Sequence, residues 1–200
     1  HRLAEAFRGR LAAEKKRLAT PELTFYPYDT MGNFLQLREL LRGEGRDLLR
    51  FAEGRPIADI GAADGDLSFF LESLGHTMEI VDHAPTNYNQ LRGARALKEA
   101  LGSAVTIRDV DLDESFALPR AQYGLVFFLG ILYHLKNPFH ALEHLARSTR
   151  FCVLSTRIAA YAGDVATSES IPGKVAARAR DALPAGTGNA LTRKHVAAMP

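Results

Sequence analysis

Apolar and polar positions follow two rhythms along this chain, and the switches between them mark its elements. Leu3, Ala4, Phe7, Leu11 and Leu18 recur at the spacing of one helical face with charges between them, which predicts an amphipathic helix ending before Pro21. Residues 21–34 carry two prolines, a glycine and several aromatics, and read as a loop whose Phe25, Tyr26 and Tyr28 either anchor it to the core or cover a ligand. Residues 33–50 return to helical spacing, broken near Gly43 and Gly45. Ile57, Ala58 and Ile60 then form the dense apolar run of a strand covered on both faces. Gly61 and Gly65 bracket a turn, and residues 66–74 resume the helical pattern.

The same alternation repeats downstream. Strands are predicted at 77–81, 105–110, 123–129 and 151–156, with helices at 87–101 and 138–147, the latter opened by Pro138. The fourth strand, nearly all apolar, is placed at the centre of the sheet. Strands alternating with helices of this length predict a parallel sheet with right-handed crossovers, hence a three-layer α/β, Rossmann-like sandwich with helices on both faces. Residues 1–50 form an N-terminal helical extension with an aromatic loop, and 51–200 the α/β domain. Beyond Arg157 the chain turns small, polar and glycine-rich, with a short helix expected at 175–183. A last helix is expected at 192–199, capped by Thr192, with no strand after it.

Composition narrows the class without naming the chemistry. At 46% apolar and 24% charged, 200 residues are enough for one globular domain, and no apolar run reaches the roughly 18 residues of a membrane span. The single cysteine, Cys152, lies in a strand-like run and excludes both a disulfide framework and a cysteine-based zinc site, so a cytoplasmic home is expected. The first residues hold no uninterrupted apolar stretch and predict no signal peptide. Net charge is only +2, but Arg2, Arg8, Arg10, Lys15, Lys16 and Arg17 crowd the first helix against Glu5 and Glu14. That helix is either a solvated face or a surface able to follow a phosphate backbone.

The candidate chemistry centres on P-I-A-D-I-G-A-A-D-G, residues 56–65. A strand running into a glycine-bearing turn and a helix lets a ligand approach the backbone where no Cβ stands. Asp82, 17 residues after Gly65, closes the next strand where an acid can accept hydrogen bonds from both hydroxyls of a ribose. Asp111 and Leu112, past the third strand, either read an adenine edge or serve ordinary turn chemistry. The acids at 109, 111 and 113 lack the sixth-position glycine and twelfth-position glutamate of a calcium loop, and no metal site is expected. The spacing of Gly61 and Gly65 does not supply the G-x-G-x-x-G of a nicotinamide dehydrogenase.

D-I-G-A-A-D-G, the acid closing the second strand, D-L after the third, and F-F-L-G-I-L-Y-H-L-K-N-P at the fourth together resemble the class I S-adenosylmethionine-dependent methyltransferases, over about half of the chain. Within that superfamily, Y-P-Y-D and L-Y-H are similar to the group of the tRNA wobble-uridine carboxymethyltransferase. The resemblance implies S-adenosyl-L-methionine as cofactor, with carboxy-S-adenosyl-L-methionine as the variant of that group. It puts Asp59, Gly61, Ala62 and Gly65 at the methionine part, Asp82 on the ribose hydroxyls and His83 against the adenine. Asp111 and Leu112 would meet the adenine amino edge, while Leu129 and Gly130 would floor the pocket beneath the sulfonium. Tyr133 and His134 take the catalytic positions, contacting the acceptor or accepting its proton. A small-metabolite acceptor is favoured, tRNA is the alternative acceptor, and a cofactor-binding protein without catalysis is the third possibility. The family's sheet ends in a sixth strand and an antiparallel seventh, so the resemblance also implies an incomplete C-terminal edge here.

Overall fold

A computed structural model describes residues 2–114, 118, 122–157 and 195–199. Residues 1–156 and 196–200 form one compact unit, and 157–195 a second, of which only Arg157 and His195 are among the described residues. The first unit is built on a six-stranded sheet in the order β3-β2-β1-β4-β5-β6. Its strands are β1 (Ile57–Ile60), β2 (Met78–Asp82), β3 (Thr106–Asp109), β4 (Tyr123–Leu129), β5 (Thr149–Thr156) and β6 (His195–Met199). The pairs β1–β2, β1–β4, β2–β3 and β4–β5 are all parallel, with Ile57 opposite both Met78 and Leu125. Strand order reverses between β1 and β4, and in such sheets the crevice at the carboxyl ends of those strands receives the ligand.

Every second residue of the central strands faces one helical layer. Ile57, Met78, Ile80, Leu125, Phe127 and Val153 share a buried cluster with α1 (Arg2–Leu18), α2 (Thr30–Leu40), α3 (Asp66–Ser73) and α4 (Arg92–Leu101). Their neighbours Ala58, Ile60, Val81, Val126, Phe128 and Cys152 pack on the other face against Ala141 and Leu145 of α5 (Pro138–Ser148). Burial on both faces explains the near-continuous apolar runs of β1 and β4. The α1 helix buries Ala4, Phe7 and Leu11, with the Phe7 ring 5.6 Å from that of Phe70 on α3. The three-layer α/β architecture expected from the sequence is therefore the observed one.

Three boundaries differ from expectation, each for a local or tertiary reason. The α2 helix begins at Thr30, inside the expected loop, because the Asp29 side chain caps it by accepting from the Gly32 N–H at 2.9 Å. The α4 helix begins five residues later than its apolar spacing suggested. Gln90 and Leu91 are left-handed (φ 59° and 62°), and the Asn87 carboxamide oxygen takes the N–H groups of Asn89 and Leu91 in place of helical carbonyls. Finally, the helix expected at 192–199 is corrected: His195–Met199 is strand β6, beside β5. Ala197, Ala198 and Met199 favour a helix by themselves, and the open edge of β5, which offers the segment backbone partners, overrides that local preference. A strand therefore does follow β5, where none was expected. The helix expected at 175–183 lies outside the described residues, as does Thr192. No helix among the described residues is long and apolar enough to cross a membrane.

Candidate functional site

The turn after β1 is shaped by two left-handed glycines. Gly61 (φ 69°) donates its N–H to the Val81 carbonyl at 2.8 Å, locking the end of β1 to β2. A Cβ on Gly61 would stand 2.2 Å from Ile131 Cδ1, and one on Gly65 (φ 82°), which caps α3, 2.3 Å from Ile80 Cδ1. Between them Ala63, a residue with a Cβ, is also left-handed at φ 55°. Its N–H donates to Asp82 Oδ2 at 3.1 Å, which holds the strained residue in place.

Asp82 thus ties three backbone segments together at the carboxyl end of β2. Oδ2 also accepts from Asn87 Nδ2 at 3.0 Å, and Oδ1 from the His83 N–H at 2.8 Å. Burial raises its pKa above the ordinary carboxylate value, while the bonds from Asn87, His83 and Ala63 pull it back. Past β3, Asp111 Oδ1 accepts the N–H groups of Asp113 and Glu114, the turn role that the sequence left open. Those backbone bonds, led by Asp113, hold its pKa low. Its other oxygen lies 3.9 Å from His83 Nε2. Asp113 in turn accepts the Lys136 N–H at 2.7 Å, joining the loop after β3 to the loop after β4.

These loops enclose a cleft of about 540 Å³, within the size range of small-molecule sites. Of the residues singled out from sequence, Gly61, Asp82, His83, Asp111, Leu112 and His134 line it. Asp59, Ala62 and Leu129 instead line a smaller pouch of about 30 Å³ next to it, which shares Gly61 with the cleft. Gly65 stands under the turn as the α3 cap. Gly130 (φ 74°) ends β4, and Tyr133, 40% exposed, packs its ring 4.1 Å from that of His134, outside both cavities. Asp59 is 5% exposed and accepts from Ser68 Oγ of α3 at 3.0 Å. Burial pushes its pKa up to about 7, against the pull of Ser68 and with added repulsion from Asp82 and Asp66.

Among the further residues lining the cleft are four of which the sequence had singled out only Tyr26, as either a loop anchor or a ligand cover. Thr86, Asn87 and Tyr88 come from the turn after β2, and Tyr26 from the aromatic loop. Tyr26, Tyr28 and Tyr88 make two edge-to-face ring contacts, with centroids 5.4 and 5.8 Å apart. Two asparagines at the start of a supposed helix, N-Y-N, were the sequence signal for that turn, since asparagine favours turns over helix interiors. Asp64, part of the glycine motif but given no task, is the larger omission. Only 2% exposed, it accepts from the Tyr26 N–H at 2.6 Å and from Asn89 Nδ2 at 2.8 Å, and pairs with Lys15 Nζ of α1 at 3.1 Å. Lys15 also pairs with Asp66 at 2.8 Å. The first helix and the aromatic loop are in this way fastened to the turn that floors the cleft.

No family model matches the sequence, and no curated protein matches it either. Solved structures do match. The N-terminal domain of EvdMO1, crystallised with SAH bound, is 23% identical with a TM-score of 0.50, over 83% of this chain and 70% of that one. WbdD, crystallised with the kinase inhibitor LY294002, is 22% identical with a TM-score of 0.51, over 74% of this chain and 37% of that one. The PH0226 protein of Pyrococcus horikoshii OT3 is 17% identical with a TM-score of 0.49, over 65% and 59%. The chain thus spans only 37% of the WbdD chain and 59% of the Pyrococcus protein. At these identities the likeness to EvdMO1 and WbdD establishes the fold: the chain carries the same doubly wound, mostly parallel α/β architecture.

Proposed function

We propose that this protein is an S-adenosylmethionine-dependent methyltransferase acting on a small-molecule acceptor. The observation that carries the proposal is the placement of Asp82 across from the left-handed glycine turn at the point where strand order reverses, on the wall of a 540 Å³ cleft. A carboxylate there, already accepting hydrogen bonds from neutral donors, can exchange them for the two hydroxyls of a ribose. EvdMO1, which shares the fold, was crystallised with SAH, and this supports the same nucleoside chemistry here. The residues fit such a cofactor. Gly61 leaves room for close approach, His83 and Leu112 offer flat and apolar contact to a base, and Asp59 places an acid beside an amino-acid tail.

When bound, the cofactor supplies a sulfonium-activated methyl group, so the protein's task is to align the acceptor and exclude water. His134 lines the cleft past β4 and is the group positioned to contact the acceptor or hold its proton. Tyr133 backs the His134 ring rather than facing the cleft. The basic character of α1 supports a small acceptor over tRNA, because much of it is spent within the fold. Arg8 pairs with Glu5 and Asp29, Lys15 with Asp64 and Asp66, Arg17 with Glu14, and Arg10 lies over the Phe7 ring. Calorimetric titration with S-adenosylmethionine tests the assignment, and absence of binding at millimolar cofactor refutes it.

A further inference from the structure

An apolar groove of about 220 Å³ opens at the end of the helical layer away from the cleft. Lys15, Thr30 and Asp66 mark the ends of α1, α2 and α3 that meet the glycine turn. The groove is lined from their opposite ends by Leu3, Leu41 and Leu74, together with Phe34, Leu49 and Phe70. No residue lines both this groove and either the cleft or its pouch. Leu3 is 70% exposed, Leu40 51% and Leu74 41%, so leucine side chains project into water around a hole that is itself apolar. An apolar cavity of about 150 Å³ takes a benzene-sized guest, so this one has room for a leucine side chain.

The charged residues of the lining are one cation and one anion, Arg46 and Asp47, both exposed. They are neighbours in the 3-10 helix Gly43–Ala52, where successive side chains would point about 120° apart. Asp47 departs from helical backbone (φ −105°, ψ 63°), and both side chains reach one rim. That pattern selects the occupant. A small apolar ligand would fill the hole and leave Leu3 and Leu40 in water. A lipid or nucleic-acid surface would set its own negative charge against Asp47. A second copy of this chain covers the whole patch. About a two-fold axis a patch faces itself, so it must carry a knob as well as a hole and both signs of charge. Leu3 beside the hole meets the first requirement, and Arg46 beside Asp47 the second.

We infer that this protein forms a two-fold homodimer through these ends of α1, α2 and α3, with Leu3 of each copy seated in the groove of the other and Arg46 of each copy facing Asp47 of the other. Burial of Leu3, Leu40 and Leu74 supplies the attraction, and the two symmetry-related charge pairs at the rim fix the register. Both clefts stay open to solvent, because the shared face lies at the other end of the helices. The pairing therefore stands independently of the cofactor assignment.

Sedimentation velocity of the full chain at about 1 to 200 µM tests the pairing, since a reversible homodimer responds to concentration by mass action. The weight-average mass is expected to rise from that of the monomer to twice that value. Leu3→Glu, at a position exposed in the single chain, is expected to raise the dissociation constant about thirtyfold with Tm unchanged, and Leu74→Glu to act in the same direction. Arg46→Asp and Asp47→Arg each set like charges against one another at two symmetry-related places, and each is expected to weaken the dimer about tenfold. The double variant Arg46→Asp/Asp47→Arg is self-complementary again and should return to within about threefold of the wild type, a recovery that unspecific apolar adhesion would not show. A chain that stays monomeric through about 200 µM overturns the inference, as does a dimer that Leu3→Glu and Arg46→Asp leave intact. Growth past the dimer, the mark of a head-to-tail contact, overturns it as well.

Discussion

Replacing Asp64 by asparagine removes one negative charge from the point where α1, the aromatic loop and the glycine turn meet. The side chain is 2% exposed and takes hydrogen bonds from the Tyr26 N–H and Asn89 Nδ2 besides its pairing with Lys15. Asparagine keeps the volume but only one acceptor oxygen, so its NH2 group faces either the Tyr26 N–H or Asn89 Nδ2, donor against donor. The loss is one of the two hydrogen bonds, the charge assistance to the other, and the attraction to an ammonium whose side chain is only 17% exposed. Hydrogen bonds to charged groups contribute about 1.5–3 kcal/mol each, roughly twice neutral ones, and Lys15 retains Asp66 as partner, so a net loss of about 2–3 kcal/mol is expected. For a unit of this size that corresponds to a fall in Tm of roughly 4–12 °C by scanning calorimetry. The decisive measurement is the double-mutant cycle with Lys15→Met, where a coupling of about 1–2 kcal/mol is expected. Additivity of the two substitutions to within about 0.5 kcal/mol would refute the claim that α1 is fastened to the turn through this pair.

Asp82→Ala is expected to weaken S-adenosylmethionine binding by about 1.5–3 kcal/mol in a calorimetric titration, and wild-type affinity in that variant would displace the ribose from β2. Gly65→Ala forces a Cβ onto a residue at φ 82° and against Ile80, so the urea midpoint should drop by the equivalent of about 1–3 kcal/mol. An unchanged midpoint would show that the turn relaxes freely. Asp59 gives a pH prediction. Its folded pKa of about 7 lies above the ordinary value of 3.8, so the native state binds the extra proton, and stability falls as pH rises between those values. Asp59→Asn should therefore stabilise the protein more at pH 7.5 than at pH 4, by on the order of 3 kcal/mol, and a pH-independent difference in urea unfolding would contradict the burial argument.

Periodicity alone determined the layer order of this protein. Short, largely apolar strand runs, with 3.6-residue patterns after the first, second and fourth of them, admit few arrangements other than a parallel sheet between helices. Ile57–Ile60 and Tyr123–Leu129 are strands where that pattern puts them. The glycine turn and the acid ending β2 were legible too, because a left-handed backbone and a strand terminus both leave local signatures. What the sequence could not contain is which distant side chains share a charge. Lys15 reads as one more cation on a basic helix until folding brings it to Asp64, 49 residues away, and to Asp66. Thr30 reads as an ordinary residue beside a helix cap until the fold buries its hydroxyl opposite Asp59. Strand β6 has no pattern strong enough to announce it, and the open edge of β5 decides it. Local preference acts over one turn or one pleat, whereas desolvation and pairing depend on what the finished fold brings together, and only the tertiary structure carries that information.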